Sequence, residues 1–264
     1  VLRGGLSSAA ADRTRRRTAP ARRRSWKGKL RGRRYTVTVV GSEGGLAMPF
    51  CHLEMTLPPG ARGLRIRKER LFAAEDLRTG DRAFDAAVHL EGDAAALVVA
   101  LTPRVRSQIG FLLREGEFSV ERDRLRLKVR SVPEGLGGAL EALAILATSM
   151  HATATERALA RRVESDDLPE LRARAFDLLA KRAPRHAETR TVGTTLLRST
   201  DPLLRERAWA WGLDHATTQA LEAAVDHALD RPPDESTRLA IQFLARSSDD
   251  TRLDRLLALA HVAT

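Results

Sequence analysis

A single cysteine, Cys51, stands in 264 residues. That excludes an internal disulfide framework and any zinc or iron–sulfur site built on several thiolates. No stretch approaches the ~18–20 uninterrupted apolar residues of a bilayer-spanning helix. Aromatics are scarce at 4%, with one tyrosine and three tryptophans. There is no GxxxxGK[ST], no GxGxxG and no GxSxG, so the usual phosphate-cradling and nucleophile signatures are missing. Seven histidines are scattered, and none forms an HxH or HExxH pair. No cofactor and no metal are expected.

What is present is core-forming capacity and an uneven charge. Hydrophobic residues make up 43% and charged residues 30%, which suits a folded chain. The length fits one large domain or two modest ones. The formal net charge is +11. Residues 1–34 hold thirteen Lys or Arg and one acid, Asp12, whereas the remaining 230 hold 32 bases and 33 acids. The high pI thus belongs to an N-terminal arm, and the body is nearly neutral. With almost no apolar periodicity, the arm is expected to be disordered over 1–34. Its candidate anion-binding residues are Arg15, Arg16, Arg17, Arg22, Arg23, Arg24, Lys27, Lys29, Arg31, Arg33 and Arg34. Counterion release would draw them to nucleic acid or anionic lipid, with Trp26 and Tyr35 available for stacking or interfacial anchoring. A merely solvated tail is the third reading. The chain starts at Val1 and not Met, which suggests a processed or truncated product. An apolar span ahead of Val1 would make these arginines positive-inside charge at the cytoplasmic face of a membrane.

Residues 35–131 read as an α+β domain. Tyr35–Val40 alternates as a strand. Leu46–Leu57 puts Phe50, His52, Glu54 and Thr56 on one face and Cys51, Leu53, Met55 and Leu57 on the other. Leu64–Arg67 alternates again, and Ala83–Leu90 and Ala95–Leu101 are further strand candidates. Thr102-Pro103 opens a helix with Val105, Ile109, Leu112 and Leu113 on one face, closed by Gly116. Phe118–Val120 and Leu125–Val129 form a hairpin around Arg122-Asp123. The expected result is an antiparallel sheet with one covering helix.

The string Thr79-Gly80-Asp81-Arg82-Ala83-Phe84-Asp85 is distinctive. Asp81 and Asp85 would suit a metal or acid–base chemistry as paired carboxylates. The structural alternative makes Gly80-Asp81 a turn, Phe84 the first inward residue of a strand, and Asp85 a solvent-facing or turn-capping residue. Cys51 and His52 fall on opposite faces, which is wrong for a nucleophile–base dyad. Trp26-Lys27-Gly28, the GDxxFD turn and the Arg-containing helix before the hairpin resemble an uncharacterised bacterial α+β domain, often found behind N-terminal membrane helices. The resemblance covers roughly 26–131. It implies a fold and membrane proximity, and carries over no catalytic residues.

The rest reads as helical. Gly135–Gly138 is expected to be a hinge, followed by one connecting helix within 132–164. Pro169–Phe176 matches Pro202–Trp209 at an offset of 33, and a weaker copy starts at Pro233, offset 31. Second helical segments follow at about 187–199, 216–229 and 250–262, a period typical of stacked helix pairs. Asp201-Pro202-Leu203-Leu204-Arg205-Glu206-Arg207-Ala208 resembles the helix start of short bacterial HEAT-like repeats. That resemblance implies an all-α helical-hairpin stack over 165–264 that binds another protein along a groove. Phe176, Leu179, Trp209, Leu213, Ile241 and Leu244 are its expected core, with Trp211 more exposed. One branch of such proteins excises alkylated bases from DNA, but a near-neutral body offers no basic stripe for a duplex. The overall expectation is a non-enzymatic interaction or scaffold protein, cytoplasmic and near a membrane. Its partners would be another protein on the stack and anionic lipid or nucleic acid on the arm, with no small-molecule substrate. The alternative is a nucleic-acid-binding protein working through the arm.

Overall fold

A computed structural model describes residues 22–41, 50–58, 64–68, 77–121, 123–130, 136–150 and 153–246. Seven strands form one antiparallel sheet: β1 (Arg22–Leu30), β2 (Arg33–Gly41), β3 (Phe50–Thr56), β4 (Arg65–Lys68), β5 (Val88–Glu91), β6 (Glu117–Glu121) and β7 (Arg124–Val129). Their order across the sheet is β1-β2-β3-β7-β6-β4-β5. Burial alternates along β3, β6 and β7, so the sheet has one buried and one wetted face. Leu53, Met55, Ile66, Phe118, Val120, Leu125 and Leu127 point inward and are buried.

Two helices cover that inner face, not one. Helix α3 (Pro103–Glu115) is capped by Thr102 as its spacing predicts, and packs on β6. Helix α4 (Leu136–Ser149) packs on α3 and β3. The expected connecting helix is therefore broken. Its first half belongs to the sheet's core, whereas α5 (Glu156–Ser165) restarts at a Thr155 cap and joins the helical core. Two expected strands are also corrected. Ala83–Leu90 is a short helix, α1 (Arg82–Ala87), followed by β5, and Ala95–Leu101 is helix α2 (Ala94–Ala100). Short apolar runs do not distinguish strand from helix. Here the side chains of Asp81 and Asp93 accept the first amide hydrogens, which settles both as helices.

Helices α6 (Pro169–Arg182), α8 (Pro202–His215) and α10 (Glu235–Ala245) stack in succession, with α7 (Ala187–Leu196) against α8 and α9 (Thr218–Leu229) against α10. The chain is thus an α+β sheet domain followed by a helical stack. Phe176 and Trp209 are buried at equivalent turns, as expected. Trp211 is buried too, contrary to expectation. It sits over Gly193 of α7, lies 6.1 Å from the Phe176 ring, and donates its indole N–H to the Pro184 carbonyl at 3.2 Å. Ile241, expected in the core, is 39% exposed. The turn residues up to Pro49, the Gly135 end of the hinge and the 250–262 segment lie outside the described residues.

The two halves share one buried polar joint. Helix α2 contributes Leu97 and Ala100 to the sheet's core and Ala95 and Val98 to the helical core. Its last carbonyls would be orphaned between them. Arg162 of α5 donates to the Val98 carbonyl at 3.0 Å and the Leu101 carbonyl at 2.7 Å. Arg106 of α3 donates to the same Leu101 carbonyl at 2.8 Å. Asp166, its side chain fully buried, pairs with both guanidinium groups, and Asp167 pairs with Arg106. Burial lowers the Arg162 pKa, opposed by the Asp166 charge. Asp166→Asn leaves buried guanidinium charge uncompensated and is expected to lower stability by about 3–5 kcal/mol. Denaturant midpoints of the variant and the parent check this.

Candidate functional site

The wetted face of the sheet gathers charged and aromatic side chains from β1, β2, β3 and β7. Strand register places its side chains row by row. Ser25, Lys27 and Lys29 of β1 stand opposite Thr38, Thr36 and Arg34 of β2. Thr38 and Thr36 stand opposite His52 and Glu54 of β3. His52 and Glu54 stand opposite Lys128 and Arg126 of β7. The expected split of β3 into a Phe50–His52–Glu54–Thr56 face and a Cys51–Leu53–Met55 face holds, with Cys51 fully buried. Burial raises the Cys51 thiol pKa.

Charge on this face is graded. Toward β4 and β5 the bases are compensated: Arg65 pairs with Glu91, Arg67 with Glu121, Arg126 with Glu54 and Lys128 with Glu117. Toward β1 and β2, Arg23, Lys27, Lys29 and Arg34 have no ion pair among the described residues. Lys27, Lys29, Arg34, Thr36, Glu54 and Arg124 line a shallow depression of about 550 Å³ there, in which Glu54 pairs with Arg124. Two aromatic rings lie beside this patch. The Phe50 and His52 ring centroids are 5.0 Å apart and edge-to-face, and the Lys128 ammonium lies 5.6 Å from the Phe50 centroid.

This patch corrects the picture of a disordered arm. From Arg22 onward the arm is a β-hairpin: β1 pairs with β2 along nine residue pairs, around a turn at Arg31 (φ 50°) and Gly32 (φ 76°). Both turn residues take the left-handed conformation that a two-residue hairpin turn needs. Gly28 is required on the inner face, because a Cβ there would stand 2.6 Å from the Tyr35 ring. The expected anion-binding residues consequently scatter. Arg23, Lys27, Lys29 and Arg34 share the wetted face, while Arg24 stands on the opposite side, opposite Val39. Arg31 pairs with Glu141 of α4. Arg33 also has an interaction partner. The Arg22 backbone begins β1. Arg15, Arg16 and Arg17 lie outside the described residues. Arg124, Arg126, Lys128, Phe50 and His52 are the members of the face that the arm reading missed.

The paired carboxylates are occupied by structure. Asp81 accepts from the Ala83 and Phe84 amides at 3.0 and 3.1 Å. Asp85 is buried and accepts from the Thr79 amide, the Thr79 hydroxyl and the Gly80 amide at 2.9, 2.8 and 3.0 Å. It thus takes the turn-capping alternative and not the solvent-facing one, whereas Phe84 enters the core from a helix, not a strand. No group of three His, Cys, Asp or Glu that could hold a metal occurs among the described residues. None of the described helices alone is long and apolar enough to cross a membrane. No family model, curated protein or solved structure matches the chain.

His52 is the titrating member of the aromatic pair. Burial lowers its pKa, and the Lys128 charge lowers it further, against the opposing pull of Glu54. An unfolded histidine titrates near about 6.5. The folded protein therefore takes up the His52 proton only at lower pH than the unfolded chain does. The stability this group contributes is full above that value and is lost as pH falls below it. His52→Gln is expected to flatten this part of the decline between about pH 6.5 and 5. Thermal melts of parent and variant across that range check it.

Proposed function

We propose that the chain is a non-enzymatic nucleic-acid-binding protein that holds phosphates on the wetted face of its sheet. The observation that carries this reading is the grouping of Lys27, Lys29, Arg34 and Arg23 on one side of a hairpin, without carboxylate partners among the described residues. A polyanion supplies the missing countercharge and gains counterion-release entropy. These four cations belong to residues 1–34, which hold thirteen bases and one acid, and the nearest carboxylate on the face, Glu54, is taken by Arg124 and Arg126. The exposed Ser25 hydroxyl, held at 3.2 Å by the buried Thr38 hydroxyl, adds a neutral polar group between the cations.

Two other readings have less support. Attachment to anionic lipid would be favoured by an apolar anchor among the cations, but Trp26 is on the opposite side of β1, opposite Val37. A protein partner on the helical stack rests on the repeat resemblance alone.

The test is binding of an unstructured oligonucleotide of about 12 residues across a salt series. The triple variant Lys27→Gln, Lys29→Gln, Arg34→Gln is expected to bind at least tenfold more weakly at low salt. Three lost contacts with a single strand should reduce the slope of log K against log salt by about two. An unchanged slope, or binding to phosphatidylserine vesicles without binding to nucleic acid, overturns the reading.

A further inference from the structure

We infer that the wetted face takes single-stranded nucleic acid in preference to duplex, with bases stacked on Phe50 and His52 while the hairpin cations hold the phosphates. This rests on the nucleic-acid reading above and goes beyond it to the class of strand.

Three observations converge on it. Phe50 and His52 are two residues apart on one strand, so both rings stand on the wetted face. They are 5.0 Å apart and only partly buried. They form a ring surface that core packing has not consumed. Next, the rings lie one and two strands in from the hairpin cations. His52 pairs across to Thr38, and Thr38 to Ser25, which is flanked on the same side of β1 by Arg23 and Lys27. Neighbouring strands are about 4.8 Å apart. A chain whose phosphates follow β1 and β2 can therefore lay its bases on β3. Finally, Lys128 over the Phe50 ring already polarises one aromatic at the inner margin of the patch.

A duplex cannot use the rings. Its bases are stacked on one another and present only their edges within grooves. The β1–β2 hairpin is paired to β3 over Tyr35–Val40, so the face is not a free two-stranded ribbon of the kind that enters a major groove. Against a duplex the face contributes phosphate contacts alone. Against a single strand it contributes those and ring stacking, which tolerates any sequence because every base has a π-face. Thr36 and Ser25 can meet sugar and phosphate oxygens between the two sets of contacts.

The experiment compares oligo(U) and oligo(dT) of about 12 nucleotides with a duplex of equal length, at one salt concentration, on the full chain. The single strands are expected to bind at least tenfold more tightly than the duplex. Phe50→Leu and His52→Gln should each weaken single-strand binding about five- to tenfold, without changing duplex affinity or the salt slope. His52→Gln keeps the test decisive should Phe50→Leu disturb the fold, which circular dichroism would reveal. Equal affinity for duplex and single strand, with both variants neutral, overturns the stacking inference and leaves the phosphate-binding reading standing. Failure of every oligonucleotide to bind overturns both.

Discussion

The sheet buries one face only. Every covering element, α3 and α4 above all, lies on the side of Leu53, Met55, Leu125 and Leu127. From that asymmetry follows the alternation of β3, β6 and β7, since each strand must supply apolar side chains to one side and polar ones to the other. It also gives the basic N-terminal residues a place on the sheet, because β1 and β2 carry Arg23, Lys27, Lys29 and Arg34 onto the wetted side. The carboxylates of Glu91, Glu117 and Glu121 lie toward one end of the sheet and the bare hairpin cations at the other.

The inner side carries the opposite demand, that nothing polar be left without a partner. Helix α2 ends between the two cores, and water cannot satisfy its carbonyls there. Arg162 and Arg106, one from each half, reach the same Leu101 oxygen, and Asp166 neutralises both. The same device recurs in the stack. Arg205 of α8 donates to the Ser199 carbonyl at 2.7 Å and to the Ser236 hydroxyl at 2.8 Å, and pairs with Asp234 at the start of α10. Arg172 of α6 reaches the Val163 carbonyl at 2.7 Å. In both helices this is the fourth residue after the cap. The arginine of the repeat string is thus a connector between successive helices, and its charge is not on offer to a ligand.

Much of this was legible in the sequence. Alternation assigned the two faces of β3, the Thr102-Pro103 start and Gly116 stop bounded α3, and the 33-residue offset located α6 and α8. What was hidden had physical reasons. The hairpin carries no Asn-Gly turn and no apolar alternation, because β1 is an edge strand whose positions are charged, as edge strands commonly are. Its order comes from pairing with β2, a tertiary fact. Trp211 was misjudged because helix α8 touches α7 as well as α6 and α10, so residues on opposite sides of one helix are both enclosed. For Asp85 the sequence left solvent-facing and turn-capping open, and the three donors from Thr79 and Gly80 that converge on it decide for the cap. The cations of the face were legible as part of the basic N-terminal run, whereas their meeting with Phe50, His52, Arg126 and Lys128 depends on strand register, a tertiary fact.

The account stands on where a nucleic acid would touch the chain, and the five lysines report that directly. Lys27 and Lys29 are in the hairpin and Lys128 is on β7, whereas Lys68 ends β4 beside α1 and Lys181 is in α6. Amine acetylation followed by mass spectrometry, with and without a saturating single-stranded oligonucleotide, reads each site in one sample. The account predicts protection of Lys27, Lys29 and Lys128, with Lys68 and Lys181 modified as before. Protection of Lys181 with Lys27 and Lys29 left reactive would place the contact on the helical stack and contradict it.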